Sequence, residues 1–205
     1  MTKKPDDTIA TLTLQYQSGT GNITQRGVHV TEFNPEELYG LCTLRGRYRT
    51  FLRERIISCV NASTGEYVYD IGAHLMGIYK KLPRYTLDQL YEHNHELLQV
   101  LLYVGKADGS LRAAERKVII AACKVFTSDT RLTDEMINKT LKDVRVPCER
   151  TFKVAVGRVL KRGNQDTMRK LLRACQTIVN TQKHITPEEQ AALDYIAKRF
   201  KIPLT

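Results

Sequence analysis

The hydrophobic positions repeat with two different periods, and the change falls near residue 80. Up to about residue 72 the pattern is short and alternating. Thr11-Leu-Thr-Leu-Gln-Tyr16 puts Leu12, Leu14 and Tyr16 on one face of a strand, because successive strand side chains point to opposite faces. Ser18-Gly-Thr-Gly-Asn22 supplies a turn, and Arg26-Gly-Val-His-Val30 reads as the return strand. Asn34-Pro35 interrupts the chain before Leu38-Tyr-Gly-Leu-Cys42. An apolar stretch from Phe51 to Val60 leads into the turn 61–65 and then Tyr67-Val-Tyr69. Five short strands with tight turns predict a small barrel, since closure removes exposed edges.

From about Thr86 the period becomes helical. Leu87 to Val104 reads as one helix, Asp108-Gly109 interrupts it, and Leu111 to Phe126 forms a second, more buried one. Thr133 starts a third. Pro147 opens a fourth, in which Phe152, Ala155, Val156, Val159 and Leu160 follow i, i+3, i+4, i+7, i+8. Gly163-Asn164 ends it, and Met168, Leu171, Leu172, Cys175, Ile178 and Val179 make the stripe of a fifth. Thr186-Pro-Glu-Glu189 starts a sixth, with Thr as cap, Pro at N1 and Glu at N3. Lys80-Lys81 and Pro83 mark the linker, and 72–79 is ambiguous in pattern, a short helix of either half being one reading of it. Two similar segments, 106–115 and 181–189, each set an acidic first turn ahead of an apolar helix, where the positive end of the helix dipole favours it.

Charge adds the first functional hint. The 205 residues hold 32 Lys and Arg against 22 Asp and Glu, a net charge of +10. Residues 1–86 carry 11 basic and 8 acidic side chains, and residues 87–205 carry 21 and 14. Two segments concentrate the excess. Between Leu41 and Val60, Arg45, Arg47, Arg49, Arg53 and Arg55 stand against Glu54 alone, and between Thr140 and Cys175 ten basic residues face three acidic ones. Such fields attract polyanions, although basic runs also serve as solvated faces. No run of eighteen apolar residues and no apolar leader segment is present, so a soluble, cytoplasmic protein is expected. Cys42, Cys59, Cys123, Cys148 and Cys175 are odd in number and widely spaced, which predicts reduced thiols, mostly in the core, and leaves the Asn61-Ala-Ser63 sequon idle.

The order Leu12-Thr-Leu-Gln-Tyr16, Gly21, Arg26-Gly-Val-His-Val, Leu38-Tyr-Gly-Leu-Cys-Thr-Leu-Arg45, Arg49-Thr-Phe51 and Arg55-Ile56 resembles a WYL domain across roughly residues 9–72. That family reads YxSxxGxxTxR, WYLxGYCxLR and RTFRxDRI. Glu36 and Glu37 stand where its Trp and Tyr would be, and Leu52 replaces the Arg after Phe51. The resemblance implies an SH3- or Sm-like barrel that senses a nucleotide or single-stranded nucleic acid through arginines. By position, Arg26, Arg45, Arg49 and Arg55 match the motif and Tyr16 matches the first-strand aromatic, while Arg47 and Arg53 are additional basic residues. Guanidinium forks grip phosphates bidentately and an aromatic ring stacks bases. Alternation sets Arg45, Arg47 and Arg49 on one side of a straight strand, and likewise Arg53 and Arg55. The competing reading is a set of edge-strand arginines kept for solubility.

The helical half resembles the tellurite-resistance TerB-like domain over roughly residues 88–202, on Asp108-Gly109 to Glu115 and, without the Asp-Gly, on Ile185, Pro187 and Glu189. This resemblance implies an all-α module of stress-response and phage-defence systems. Metal binding is discounted: Asp108 and Glu115 alone make no hard-cation cage and read as a turn aspartate and a helix-start glutamate.

The expected architecture is therefore α+β with two domains, an SH3/Sm-like β-barrel over 8–80 and a TerB-like helical bundle over 87–203. A helical wheel adds a secondary basic surface. Arg150, Arg158 and Lys161 on one helix and Arg169, Lys170 and Arg173 on the next merge if the two helices are hairpin neighbours. Evidence for catalysis is weak. His29, His74, His93, His95 and His184 lack metal spacing, Cys42 has no base in view, and Ser18-Gly-Thr-Gly21 is a hairpin turn rather than a phosphate loop. The expectation is a non-enzymatic bacterial or phage-related regulator with no cofactor and no metal. Its expected partners are a nucleotide or single-stranded nucleic acid at the barrel and a protein at the helical domain, with no membrane and with a homodimer admitted. A protein-interaction scaffold is the alternative.

Overall fold

The computed structural model describes residues 5–106, Gly109, 111–182 and 184–204. It divides into two compact units, Met1–Leu82 and Pro83–Thr205. Among the described residues no helix is long and apolar enough to cross a membrane.

The first unit is a five-stranded antiparallel sheet with strand order β4-β3-β2-β1-β5, followed by a helix. The strands are β1 Ala10–Gln17, β2 Ile23–Phe33, β3 Glu37–Cys42, β4 Arg47–Leu52 and β5 Ile56–Asn61. Leu12, Leu14, Val28, Val30, Leu38, Cys42, Phe51 and Cys59 alternate with more exposed residues and build one core, joined by Ile71 and Leu75 of helix α1 (Ile71–Tyr79). Asp70 caps α1 by accepting the Ala73 N–H at 2.9 Å, and Tyr79 meets Phe33 edge-on. A bulge in β2 between Val30 and Glu32 brings its backbone against β3 at Gly40, where a Cβ would lie 2.2 Å from the His29 carbonyl oxygen. Only glycine fits there.

The expected barrel does not close. Among the described residues no ladder joins β4 to β5, so both remain edge strands. The apolar stretch 51–60 is not one strand but is cut by a 3₁₀ turn, Arg53–Arg55, which carries the chain from one edge of the sheet to the other. Side chains bridge the opening where hydrogen-bonded strands would: the Tyr16 ring meets Phe51 edge-on at 5.3 Å, and its hydroxyl accepts the Leu52 N–H at 3.4 Å. The strand expected at 67–69 reduces to a single bridge between Val60 and Tyr67, because the chain turns into the α1 cap at Asp70.

Among the described residues the second unit holds seven helices: α2 Pro83–His93, α3 His95–Val104, α4 Ala113–Thr127, α5 Asp134–Asp143, α6 Glu149–Arg162, α7 Gln165–Val179 and α8 Pro187–Phe200. The helix expected over 87–104 is two, separated at Asn94, and Pro83 starts α2 where a linker was expected because proline suits a first helical turn. His93 and His95 therefore end one helix and begin the next. The fourth expected helix begins at Glu149 with Cys148 as cap residue, two residues past Pro147. α3 is apolar nearly all round, with Leu97, Leu98, Val100, Leu101, Leu102 and Val104 buried, so it takes the centre. α6 packs on α3 and α8, and α7 on α4, α3 and α8. Phe152 stacks on Tyr103 at 4.1 Å and leans on Tyr195, joining α6 to α3 and α8.

Candidate functional site

Residues directly opposite in an antiparallel ladder share a face. Leu14 pairs with Arg26 and Tyr16 with Thr24, so Arg26 lies on the core face of β2, in line with Val28 and Val30. Cys42 pairs with Arg47 and Gly40 with Arg49, while Leu38 pairs with the core residue Phe51. Arg47 and Arg49 thus face the same side as Arg26.

Arg26 is the unusual member. It is 7% exposed. Its Nε donates to Thr24 Oγ1 at 3.0 Å, and Thr24 Oγ1 donates in turn to the Tyr16 carbonyl at 3.5 Å. Its Nη1 is buried with no hydrogen-bond partner. No ion pair to Arg26 occurs among the described residues. A guanidinium carries five N–H donors and keeps its charge, so burial without a carboxylate is unfavourable unless an anion completes the site. Arg47 is exposed and Arg49 half-buried, and neither makes an ion pair or side-chain hydrogen bond among the described residues. Arg45 is exposed in the β3–β4 turn, whose Gly46 adopts φ +62°. It has left the strand, so the straight alternation through Arg45, Arg47 and Arg49 holds only for the last two.

Arg53 and Arg55 are not one side of a strand either, since the 3₁₀ turn splays residues two apart. Arg53 is used inside the fold: its Nη1 donates to the Pro35 carbonyl at 3.0 Å and its Nη2 lies 3.8 Å from Asp70. Arg55 lies beside Glu54 at 3.9 Å, a loose and exposed pair, with its Nη1 near Gly19 of the β1–β2 turn.

In the helical unit Arg150, Arg158, Lys161, Arg169, Lys170 and Arg173 are all exposed, as the wheel requires. α6 and α7 share α3 and α8 as packing partners, and α7 packs on α4 as well. Lys170 is paired with Asp166 at 2.6 Å, and Arg158 and Arg162 converge on Glu96 at 3.5 and 3.6 Å. Glu96, His93, Asn94 and Thr167 line a cleft of about 200 Å³ there, and an open depression of about 410 Å³ lies beside Arg150 and Lys153.

The two similar helix starts meet in a way the sequence did not signal. Glu115 and Glu189 are 0% and 1% exposed. Each reaches back to its own helix start, accepting from the Arg112 N–H at 2.7 Å and the Thr186 N–H at 2.8 Å. Their other oxygens accept from one atom, Gln182 Nε2, at 2.6 and 3.0 Å, while Gln182 Oε1 accepts from Arg112 Nη1 at 2.5 Å. A side-chain amide thus stands between two buried carboxylates. Asp108, the other expected member of the acidic turn, lies outside the described residues.

Cys42, Cys59, Cys123 and Cys175 are buried free thiols, with burial pushing Cys59 up to about 11 and Cys123 up to about 12. Cys148 is exposed, and hydrogen bonds from the Thr151 hydroxyl and N–H lower its pKa. Among the described residues no three His, Cys, Asp or Glu are placed to hold a metal ion.

No family model, curated protein or solved structure matches the chain. The geometry therefore carries the functional reading.

Proposed function

We propose that the N-terminal unit is a recognition module for a phosphate-bearing ligand, a nucleotide or single-stranded nucleic acid, and that the helical unit relays that event or docks a protein partner. Arg26, Arg47 and Arg49 would hold the phosphate from the inner face, Arg45 would steer it from the turn, and Tyr16 would shape the site through its contact with Phe51. One observation carries this reading: a buried arginine whose Nη1 has no partner, on the face that holds two further arginines without a counter-charge. The WYL-like order of motifs supports it and points to a bacterial or phage-related regulator acting in the cytoplasm. The TerB-like segments suggest a stress-response or defence setting. The role is binding rather than catalysis.

The test is titration of the full chain with labelled single-stranded DNA, RNA and mononucleotides at two salt concentrations. Binding should weaken steeply with salt as condensed counterions are displaced. Replacing Arg45 and Arg49 by Ala should weaken it by about 10-fold or more, the worth of a charge-assisted hydrogen bond. Lys170→Ala, which removes an already paired cation, should change it by less than about 3-fold. Negligible binding to every ligand favours the scaffold, which would keep its protein partner through the arginine changes.

A further inference from the structure

Resting on that reading, we propose that the anion completing the Arg26 site is a phosphomonoester, the terminal phosphate of a nucleotide or of a nucleic-acid end, rather than a phosphodiester inside a strand.

The first argument is access. Arg26 sits between Leu14 and the Thr24 hydroxyl on the core face and exposes only 7% of its surface. A phosphodiester carries a sugar on each side, and both must be kept clear of the surrounding sheet if its oxygens are to reach so covered a group. A terminal phosphate hangs from one bond and reaches it more readily. Nη1 is itself covered, so an outward turn of the guanidinium to meet the anion would break no hydrogen bond of Nη1.

The second argument is charge. Three guanidinium groups, those of Arg26, Arg47 and Arg49, share the face, and no carboxylate pairs with them among the described residues. A phosphomonoester brings a charge of about −1.5 to −2 and three acceptor oxygens at pH 7, whereas a diester brings one charge. The dianion therefore suits this set of donors better, and bidentate guanidinium contacts use the additional oxygen. The third is the absence of competition inside the site. Thr24 Oγ1 accepts from Arg26 Nε and donates to the Tyr16 carbonyl, so the unfilled donors on this face are those of the cations, joined by the O–H of Tyr16, whose oxygen accepts the Leu52 N–H.

The experiment compares three versions of one short labelled oligonucleotide, with a 5′-phosphate, a 3′-phosphate or two hydroxyl ends, against the full chain at pH 7.5 and pH 5. A phosphorylated end should bind about 10-fold or more tightly than the hydroxyl version at pH 7.5. The preference should shrink at pH 5, since the second proton of a phosphomonoester binds near pH 6. Arg26→Gln, checked by thermal melting for a folded N-terminal unit, should remove the preference, weakening the phosphorylated versions more than the hydroxyl version. Should that variant unfold, the wild-type comparison decides alone. Equal affinity for all three versions, or a preference unchanged between the two pH values, overturns the terminal-phosphate proposal. If binding persists in that case and still depends on Arg47 and Arg49, the broader reading stands. Loss of arginine-dependent binding to every version overturns both.

Discussion

Both units bury charged side chains, and they treat them in opposite ways. In the helical unit Glu115 and Glu189 are sealed from solvent, yet each accepts a backbone N–H and shares the Gln182 amide, which is itself held by Arg112. In the sheet unit Arg26 is almost as deeply placed, with a hydrogen bond through Nε and an Nη1 that has no hydrogen-bond partner. Buried charges are tolerated when their hydrogen-bonding capacity is filled and destabilise when it is not. A filled set reads as architecture: it fixes the starts of α4 and α8 relative to each other. An unfilled set in an otherwise regular sheet reads as a place reserved for something that arrives later.

That contrast can be broken at its filled side first. Gln182→Ala removes the donor common to both glutamates and leaves two carboxylates facing each other out of water. The expected loss is about 1.5–3 kcal/mol, the worth of a hydrogen bond to a charged group, visible as a lower urea midpoint for the helical unit with the sheet unit unmoved. No change would mean the amide is incidental. The unfilled side should respond with the opposite sign. Arg26→Met keeps the length of the apolar stem and removes the orphaned donor, so the sheet unit should gain about 1–3 kcal/mol without ligand while phosphate binding falls. A loss of stability instead would show that Arg26 is structural.

A smaller effect follows from Asp129, whose carboxyl is held well below the usual range by hydrogen bonds from the Arg131 side chain and N–H and from the Thr86 hydroxyl. A carboxylate with a depressed folded-state pKa stabilises above its unfolded value, near pH 4, and loses that contribution as pH falls through the folded value. Wild type should therefore exceed Asp129→Asn in urea midpoint at neutral pH, and the gap should close in acid. A gap constant with pH would place the effect in packing.

Much of the architecture was legible where local patterning and local chemistry agree. Alternation in 11–16 placed β1, the stripe from Met168 to Val179 placed α7, and Thr186-Pro-Glu-Glu189 placed the start of α8 with its reciprocal cap. The failures share a cause. The 3₁₀ turn inside 51–60 and the break at Asn94 lie within continuous apolar patterns, which conceal a change of direction. The missing barrel closure depends on whether two distant edges pair, and no local signal reports that. Among the site residues, Arg53 resembled its neighbours in sequence but is bound to Pro35 and Asp70. Arg26 could have been singled out, because it alternates with Val28 and Val30 and so occupies a core-facing position. The meeting of Glu115 and Glu189 could not, since 74 positions separate them and the amide between them comes from a third segment.

The unpaired border of β4 has a further implication. A strand with one free row of amide and carbonyl groups invites another chain to zip onto it, and repelling charges are a common safeguard. Here the safeguard consists of Arg47 and Arg49, the same side chains proposed to meet the phosphate. Neutralising them, whether by alanine or by a bound dianion, lowers that repulsion. Self-association through this border would then accompany occupancy, and light scattering on the alanine variants would reveal it before any ligand is added.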